Sequence, residues 1–387
     1  MPPPLRRASD YRLRPYGRPI KGVRLCPSTG GGTKVVTMDR ITPQRSTLRR
    51  VIVGAVSSLL IMLPVTVAQA TAKPSPASVT GGIATVHTVA RFHPIGNAHA
   101  GAIAINRRGA TFVTRTVEHQ TGNVGRLLRV SPSEQVAPFG PRIRLGRYGH
   151  LTGIAVDGHG RVYAAAASYG PMRNKIYRVT AAKASVVATT GGSRDGYSAP
   201  QGLAFHDGLL YVADAYAHAI WRFRPSDETQ ELTTPWTHGP LFAAKTAGGP
   251  GVMGLAFWND TLFATNADKG LLVKVVQGPL GHPGAPRVVA RMKRLVGAAG
   301  LAFDRNGHIW TTVAGADQVG DAATQVGQRI LLLTRAGSLW SATTDAPWMD
   351  YPNAIAPGRT QMTRQRMFVL NGSRYNAKAT LVSFRLH

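Results

Sequence analysis

Residues 200–223 read PQGLAFHDGLLYVADAYAHAIWRF, and that pattern recurs along the chain. An internal repeat constrains the fold more than any other feature of a sequence. Further copies occupy residues 100–130, 151–179, 252–275, 298–333 and 352–386. Their first small residues are Ala102, Gly153, Gly202, Gly254, Gly300 and Ala354, a period of about 50 residues. The third residue of each opening segment is always alanine: Ala104, Ala155, Ala204, Ala256, Ala302 and Ala356.

Each unit holds apolar or alternating runs of four to six residues, divided by turn signals such as NRRG, DGHG, HDG and DRNG. Helical units would need apolar spacings of three and four, which are missing. A fourth run follows the third: EQVAPF, ASVVATT, QELTTPW, PRVVARM and GSLWSAT. Four antiparallel strands per unit make the blade of a β-propeller. The expected fold is therefore all-β, a six-bladed β-propeller over residues 84–387. The last unit ends at its third strand, LVSFRLH, and ATVHTVARF (84–92) offers the missing fourth. This N-terminal strand is expected to complete the last blade and close the ring, which removes exposed strand edges. The opening strand is placed innermost, where its small face (Gly or Ala, then Ala) receives the bulky face of the next blade.

Four arginines lie in residues 39–50, and the apolar run VIVGAVSSLLIMLPVTVA (51–68) follows, then AQATA. Basic, apolar, then small residues is the order of a secretory signal. Residues 38–70 read as a signal peptide with cleavage near Ala70, the alternative being a retained anchor. The location implied is secreted or extracytoplasmic, without stable membrane insertion once the signal is cleaved. Residues 1–37 read as a disordered leader or as sequence upstream of a true start at Met38. Residues 71–83 read as a flexible mature N-terminus. The single cysteine, Cys26, lies in the leader, so no disulfide is expected and packing must hold the fold.

The net charge is +28. Removing residues 1–70 takes away 12 Lys/Arg and 2 Asp/Glu, leaving 34 and 16, a balance of +18. Such a surface suits an anionic envelope ligand. The basic residues are scattered, and no stretch interleaves them with aromatics, so nucleic acid is not an expected partner. A monomer is expected.

In an antiparallel pair the start of the first strand lies beside the end of the second. Two rings of residues therefore share one mouth of the channel. The inner ring is Gly101, Thr152, Gln201, Met253, Ala299 and Asn353; the second is Arg115, Ala166, Asp214, Asn266, Val313 and Asn371. Tyr197, His150, Glu118, His119 and His218 lie in nearby connections. Candidate ligand-binding residues are Gln201, Asn353, Asp214, Asn266, Asn371, Arg115 and His150. Asp214 closes YVAD, where an Asp also serves to bond N–H groups of the next turn. No G-x-S-x-G, H-E-x-x-H or G-x-x-x-x-G-K occurs. No catalytic residue is assigned.

The repeat, carried best by PQGLAFHDGLLYVADAYAHAIWRF, resembles the senescence marker protein/gluconolactonase-like family and the related NHL-type propellers. That resemblance implies a divalent metal at the channel mouth, held by a Glu early in the first blade and by Asn and Asp just before the Gly of later blades. The matching positions here are Gly101, Gln201, Met253, Ala299 and Asn353, and no carboxylate stands among them. Calcium takes six to eight oxygens, normally including carboxylates. A calcium or zinc site would have to draw on Asp214, Asn266 and Asn353 instead. The expectation is a binding protein for a small organic or envelope-derived ligand. The alternative is a metal-assisted lactone or ester hydrolase.

Overall fold

The computed structural model describes residues 83, 85–92, 98–168, 174–190, 198–314, 327–344, 346–372 and 379–386. The chain divides into two units, residues 1–72 and 73–387. The first lies outside the described residues, and with it the readings of a leader, a start at Met38, a signal peptide and its cleavage. No helix among the described residues is long and apolar enough to cross a membrane.

Six antiparallel sheets follow one another in the second unit. Their innermost strands are Ala98–Ile105, Gly149–Val156, Pro200–His206, Val252–Trp258, Ala298–Phe303 and Pro352–Pro357. Each pairs with the next strand in sequence, which pairs with the third. The sixth sheet is completed from the other end of the chain: Val86–Arg91 pairs antiparallel with Thr380–Arg385. Val86–Arg91, the first strand among the described residues, thus closes a six-bladed propeller, as the repeat requires.

The turn chemistry explains why the hairpins form where they do. Asn106, Asp157 and Asp304 each accept two backbone N–H groups of the following turn through one side-chain oxygen. This is the turn-initiating role of short polar side chains. The third blade uses a two-residue turn instead, Asp207 and Gly208, both at positive φ (48° and 73°). Such turns match the twist of the flanking strands.

The core lies between blades. Six hydrophobic clusters each join two neighbouring sheets. The cluster linking the last blade to the first contains Ala90, Ile103, Leu370 and Leu381. Buried apolar surface therefore runs unbroken around the ring, each blade covering a face of the next. Ala155 and Ala302 are buried in these joints, and Ala204 packs into the cluster between the third and fourth blades.

The third blade departs from the expected plan. QELTTPW was expected to supply its fourth strand. Instead Gln230–Leu232 pairs in parallel with Ala188–Thr190 at the edge of the second blade. The fourth strand of the third blade is only Thr237–His238. From this crossed-over position Leu232 is buried in the same hydrophobic cluster as Trp221 and Phe223.

Candidate functional site at the channel mouth

Every inner strand carries a β-bulge at the same place. The register slips between Ala100 and Ile103, Leu151 and Gly153, Pro200 and Leu203, Val252 and Leu255, Ala298 and Leu301, and Pro352 and Ala354. A bulge re-aims the side chains of the strand that contains it. The residues inside these bulges are Gly101, Thr152, Gln201, Met253, Ala299 and Asn353, the whole expected inner ring. All six line one cavity of about 420 Å³.

Close contact between blades keeps the ring tight. A Cβ on Gly153 would stand 1.9 Å from the carbonyl oxygen of Gln201, and one on Gly202 would stand 2.3 Å from that of Met253. On Gly254 it would stand 2.4 Å from that of Ala299. Each glycine thus lets the next blade's bulge lie against its backbone. Thr114, Thr265 and Thr312 fasten bulges from behind, their Oγ1 atoms accepting N–H groups from Ala102, Gly254 and Gly300 at 2.8–3.0 Å.

One strand residue further out, counting every second position, lies another ring: His99, His150, Ala199, Gly251, Gly297 and Tyr351. Tyr351, His99 and His150 belong to three neighbouring blades, the sixth, first and second, and all three line the cavity. At this position the third to fifth blades have Ala199, Gly251 and Gly297, which are buried and do not line the cavity. Glu118, just past the second strand of the first blade, joins the two histidines. Its Oε1 lies 3.1 Å from His99 Nε2 and 4.0 Å from His150 Nε2. The imidazoles meet edge to face, 6.1 Å between centroids. Burial holds the His150 pKa below its ordinary value, partly opposed by the Glu118 carboxylate and reinforced by His99. The cluster therefore offers a neutral imidazole beside a carboxylate–imidazole pair, an arrangement suited to moving a proton.

The expected site residues separate into two groups. Gln201, Asn353 and His150 reach the cavity. Asn353 donates from Nδ2 to the Ala100 carbonyl at 3.0 Å, while its Oδ1 is buried with no partner among the described residues. Asp214, Asn266, Asn371 and Arg115 are not among the residues lining the cavity. Asp214 is fully buried and saturated: it accepts from Ser198 Oγ, Ala199 N, Ala217 N and Trp221 Nε1. Asn266 donates to Leu241 and Ala243 carbonyls and accepts from Lys269 N. Asn371 donates to the Trp348 carbonyl and to Thr380 Oγ1. These three side chains tie down connections between strands. Arg115 is partly buried opposite Arg126, and burial lowers its pKa. Ala166 and Val313, the apolar members of the second ring, are buried too.

The described residues do not bring together, at this mouth, the ligands that the resemblance implies for a divalent metal. The bulge ring supplies one amide acceptor from Asn353 and one from Gln201, but no carboxylate. The substitute set of Asp214, Asn266 and Asn353 is not assembled either. Asp214 and Asn266 have their oxygens engaged away from the cavity, and only Asn353 faces it. Among the described residues, His206, Asp207 and Asp260 bring possible ligand atoms within 4.8 Å of one another. They sit at the far end of the inner strands from the mouth, and both aspartates are largely exposed. His119 is exposed, and His218 lines a separate pocket of about 260 Å³ with Trp221 and His238. Tyr197 lies outside the described residues.

Sequence reasoning missed His99 and Tyr351. The signal was present: each stands two residues before an inner-ring position, as His150 does, and alternate strand residues share a face.

No family model and no curated protein matches the chain by sequence. Solved structures do match it. A protein from Thermus thermophilus assigned as a glucose dehydrogenase is 15% identical, covers 77% of this chain and 99% of its own, and superposes with a TM-score of 0.50. A gluconolactonase from Xanthomonas campestris is 15% identical over 78% of this chain and 89% of its own, TM-score 0.48. A periplasmic gluconolactonase from Pseudomonas aeruginosa is 13% identical over 74% and 85%, TM-score 0.47. The likeness is one of fold. At such identity the scaffold is shared, while function resides in the site grafted onto it.

Proposed function

We propose that this chain is an exported propeller that binds a small, polar organic molecule in the channel-mouth cavity. One observation carries the reading. Six independent bulges aim their residues into a single space of about 420 Å³, and His99, Glu118 and His150 converge on its rim. That volume is in the range of small-molecule sites. The wall mixes amide, hydroxyl and imidazole groups with Met253, and among the described residues Glu118 is its one carboxylate. A ligand with several hydrogen-bonding groups and little net charge suits it. The test is a titration of the purified protein with neutral sugars and sugar lactones, followed by thermal shift. Binding should weaken in Gln201→Ala and His150→Ala. Equal binding in wild type and both variants removes the mouth as the site.

A second reading, hydrolysis of a lactone or ester, is favoured by the 3.1 Å contact between His99 and Glu118. The described residues do not assemble the ligands of its metal-assisted form. An imidazole acting as general base remains, withdrawing a proton from water as it attacks the carbonyl and returning it to the departing alkoxide. Glu118 would stabilise the imidazolium formed between these steps. Turnover of δ-gluconolactone or 4-nitrophenyl acetate that persists in a chelator and is lost in His99→Ala supports it. Turnover unchanged in that variant removes it.

A further inference from the structure

At the end of the inner strands away from the mouth, two neighbouring hairpins gather three metal-ligating side chains. The third and fourth blades both turn there through two residues, Asp207–Gly208 and Asn259–Asp260. His206 Nε2 lies 3.1 Å from Asp260 Oδ1 and 3.5 Å from Asp207 Oδ2, so one imidazole nitrogen faces carboxylates from two blades. One ligand atom from each of the three residues falls within 4.8 Å of the others. The imidazole is held in place. It stacks on Phe257 of the fourth blade, with 4.3 Å between centroids and 6° between planes, and its side chain is only 15% exposed. Both carboxylates stand open to solvent.

Hydrogen bonding alone does not balance this cluster. A single imidazole nitrogen carries at most one proton. Asp260 takes that bond, and the Asp207 carboxylate makes no hydrogen bond among the described residues. Two carboxylates this close repel each other, and a cation between them relieves the repulsion. The spacing also suits one: ligand atoms bonded to a zinc-sized cation at roughly 2.1 Å stand about 3.0–3.4 Å apart, close to the two separations from His206 Nε2. Calcium and magnesium prefer oxygen alone, whereas an imidazole nitrogen beside carboxylates suits zinc. From one fixed imidazole and two carboxylates on adjoining hairpins, we propose that His206, Asp207 and Asp260 form a site for a divalent transition cation, zinc by preference. Three protein ligands leave a position to water. The cation ties the third blade to the fourth, because Asp260 reaches it from one hairpin and His206 and Asp207 from the other. This site shares no residue with the mouth and does not depend on what binds there.

The experiment is calorimetric titration of the purified full chain, dialysed against chelator, with zinc chloride and, separately, with calcium chloride. Thermal shift is measured on the same samples. Zinc should bind more tightly than calcium by roughly tenfold or more and should raise the melting temperature. Asp207→Asn and Asp260→Asn should each weaken zinc by roughly tenfold or more and shrink that rise. Both substitutions keep the side-chain shape, and asparagine tolerates the positive φ of position 207 (48°), so these variants should melt near the metal-free wild type. Loss of binding then reports the missing ligand rather than a damaged fold. His206→Gln should remove the preference for zinc over calcium. Absence of zinc binding in the wild type overturns the proposal. Wild-type zinc affinity in both aspartate variants overturns it too, and assigns the zinc to histidines elsewhere, such as His99 and His150.

Discussion

Two rings of polar residues circle the same channel mouth, one strand apart, and they do opposite work. Gln201 and Asn353 lie in bulges and face the cavity. Asp214, Asn266 and Asn371 lie at the ends of regular second strands and face inward to neighbouring connections. By residue type the second ring is the better binding site, since it holds the only carboxylate of the two. By geometry it is structural, because Asp214, Asn266 and Asn371 bond to backbone and side-chain groups of neighbouring connections rather than facing the cavity. The bulge makes the difference: it breaks the ladder and turns side chains toward the axis. Chemical richness in a sequence therefore does not locate a site until the backbone irregularity is known.

The largest expected effect breaks the second ring. Asp214→Ala removes the acceptor for four donors in a fully buried place, two of them backbone N–H groups. Each buried donor left unsatisfied costs about 1–3 kcal/mol. We expect destabilisation on the order of 3 kcal/mol or more, read as a lower denaturation midpoint. A change under about 0.5 kcal/mol, the size of an ordinary surface substitution, would return Asp214 to the list of free ligands. Next comes the joint that positions the first ring. In Gly153→Ala the new methyl would meet the Gln201 carbonyl oxygen at 1.9 Å, so a blade must move. Overpacking of this kind costs roughly 1–3 kcal/mol. Its mark is a loss of mouth binding larger than in Gly160→Ala, whose Cβ would meet nothing within 4 Å, although its own φ of +83° adds backbone strain.

The fold was legible because a propeller writes the same constraint six times. The invariant alanines, the small residue two places earlier and the turn signals all repeat, so chance errors in one unit are corrected by the others. Closure by residues 84–92 was legible for the same reason: one unit lacked a strand and one strand lacked a unit. One feature did not repeat and was not legible. The segment after Phe223 pairs with the edge of the second blade, where Leu232 joins the cluster that holds Trp221. The site was half legible. Strand alternation places residues on faces, so the inner ring could be read. A bulge leaves no fixed residue signature, so nothing in the sequence said which ring would be turned outward. His99 and Glu118 are 19 positions apart in sequence and meet only across the first hairpin.

A smaller effect sharpens the comparison through pH. Burial holds the His150 pKa below its ordinary value of 6.5, with Glu118 and His99 as its charged neighbours. The unfolded chain therefore takes up this proton first as pH falls. Stability should drop from about pH 6.5 downward and level off below the lowered folded value. His150→Gln should flatten that part of the acid limb relative to the wild type, measured by urea midpoints between about pH 7 and 5. An unchanged limb would mean that His150 is as well solvated as a surface histidine, and that the mouth is wetter than its packing implies.

The smallest effect on stability is expected at Gln201, and it is the sharpest test of the contrast. Its backbone sits in a bulge, and its carbonyl oxygen abuts the place where Gly153 has no side chain, so the main chain is fixed by its neighbours. The side chain faces the cavity and is partly exposed. Gln201→Ala keeps the bulge and removes only what points into the mouth. Substitutions of that kind usually change stability by less than about 0.5 kcal/mol. Binding at the mouth should nevertheless weaken by roughly tenfold, the loss of one neutral hydrogen bond to a ligand in a partly desolvated place. Asp214→Ala should show the reverse ratio, a large loss of stability with little change in affinity per folded molecule. If the two variants shift stability and affinity in the same proportion, the rings are one structural unit. The division between a binding ring and a bracing ring then fails.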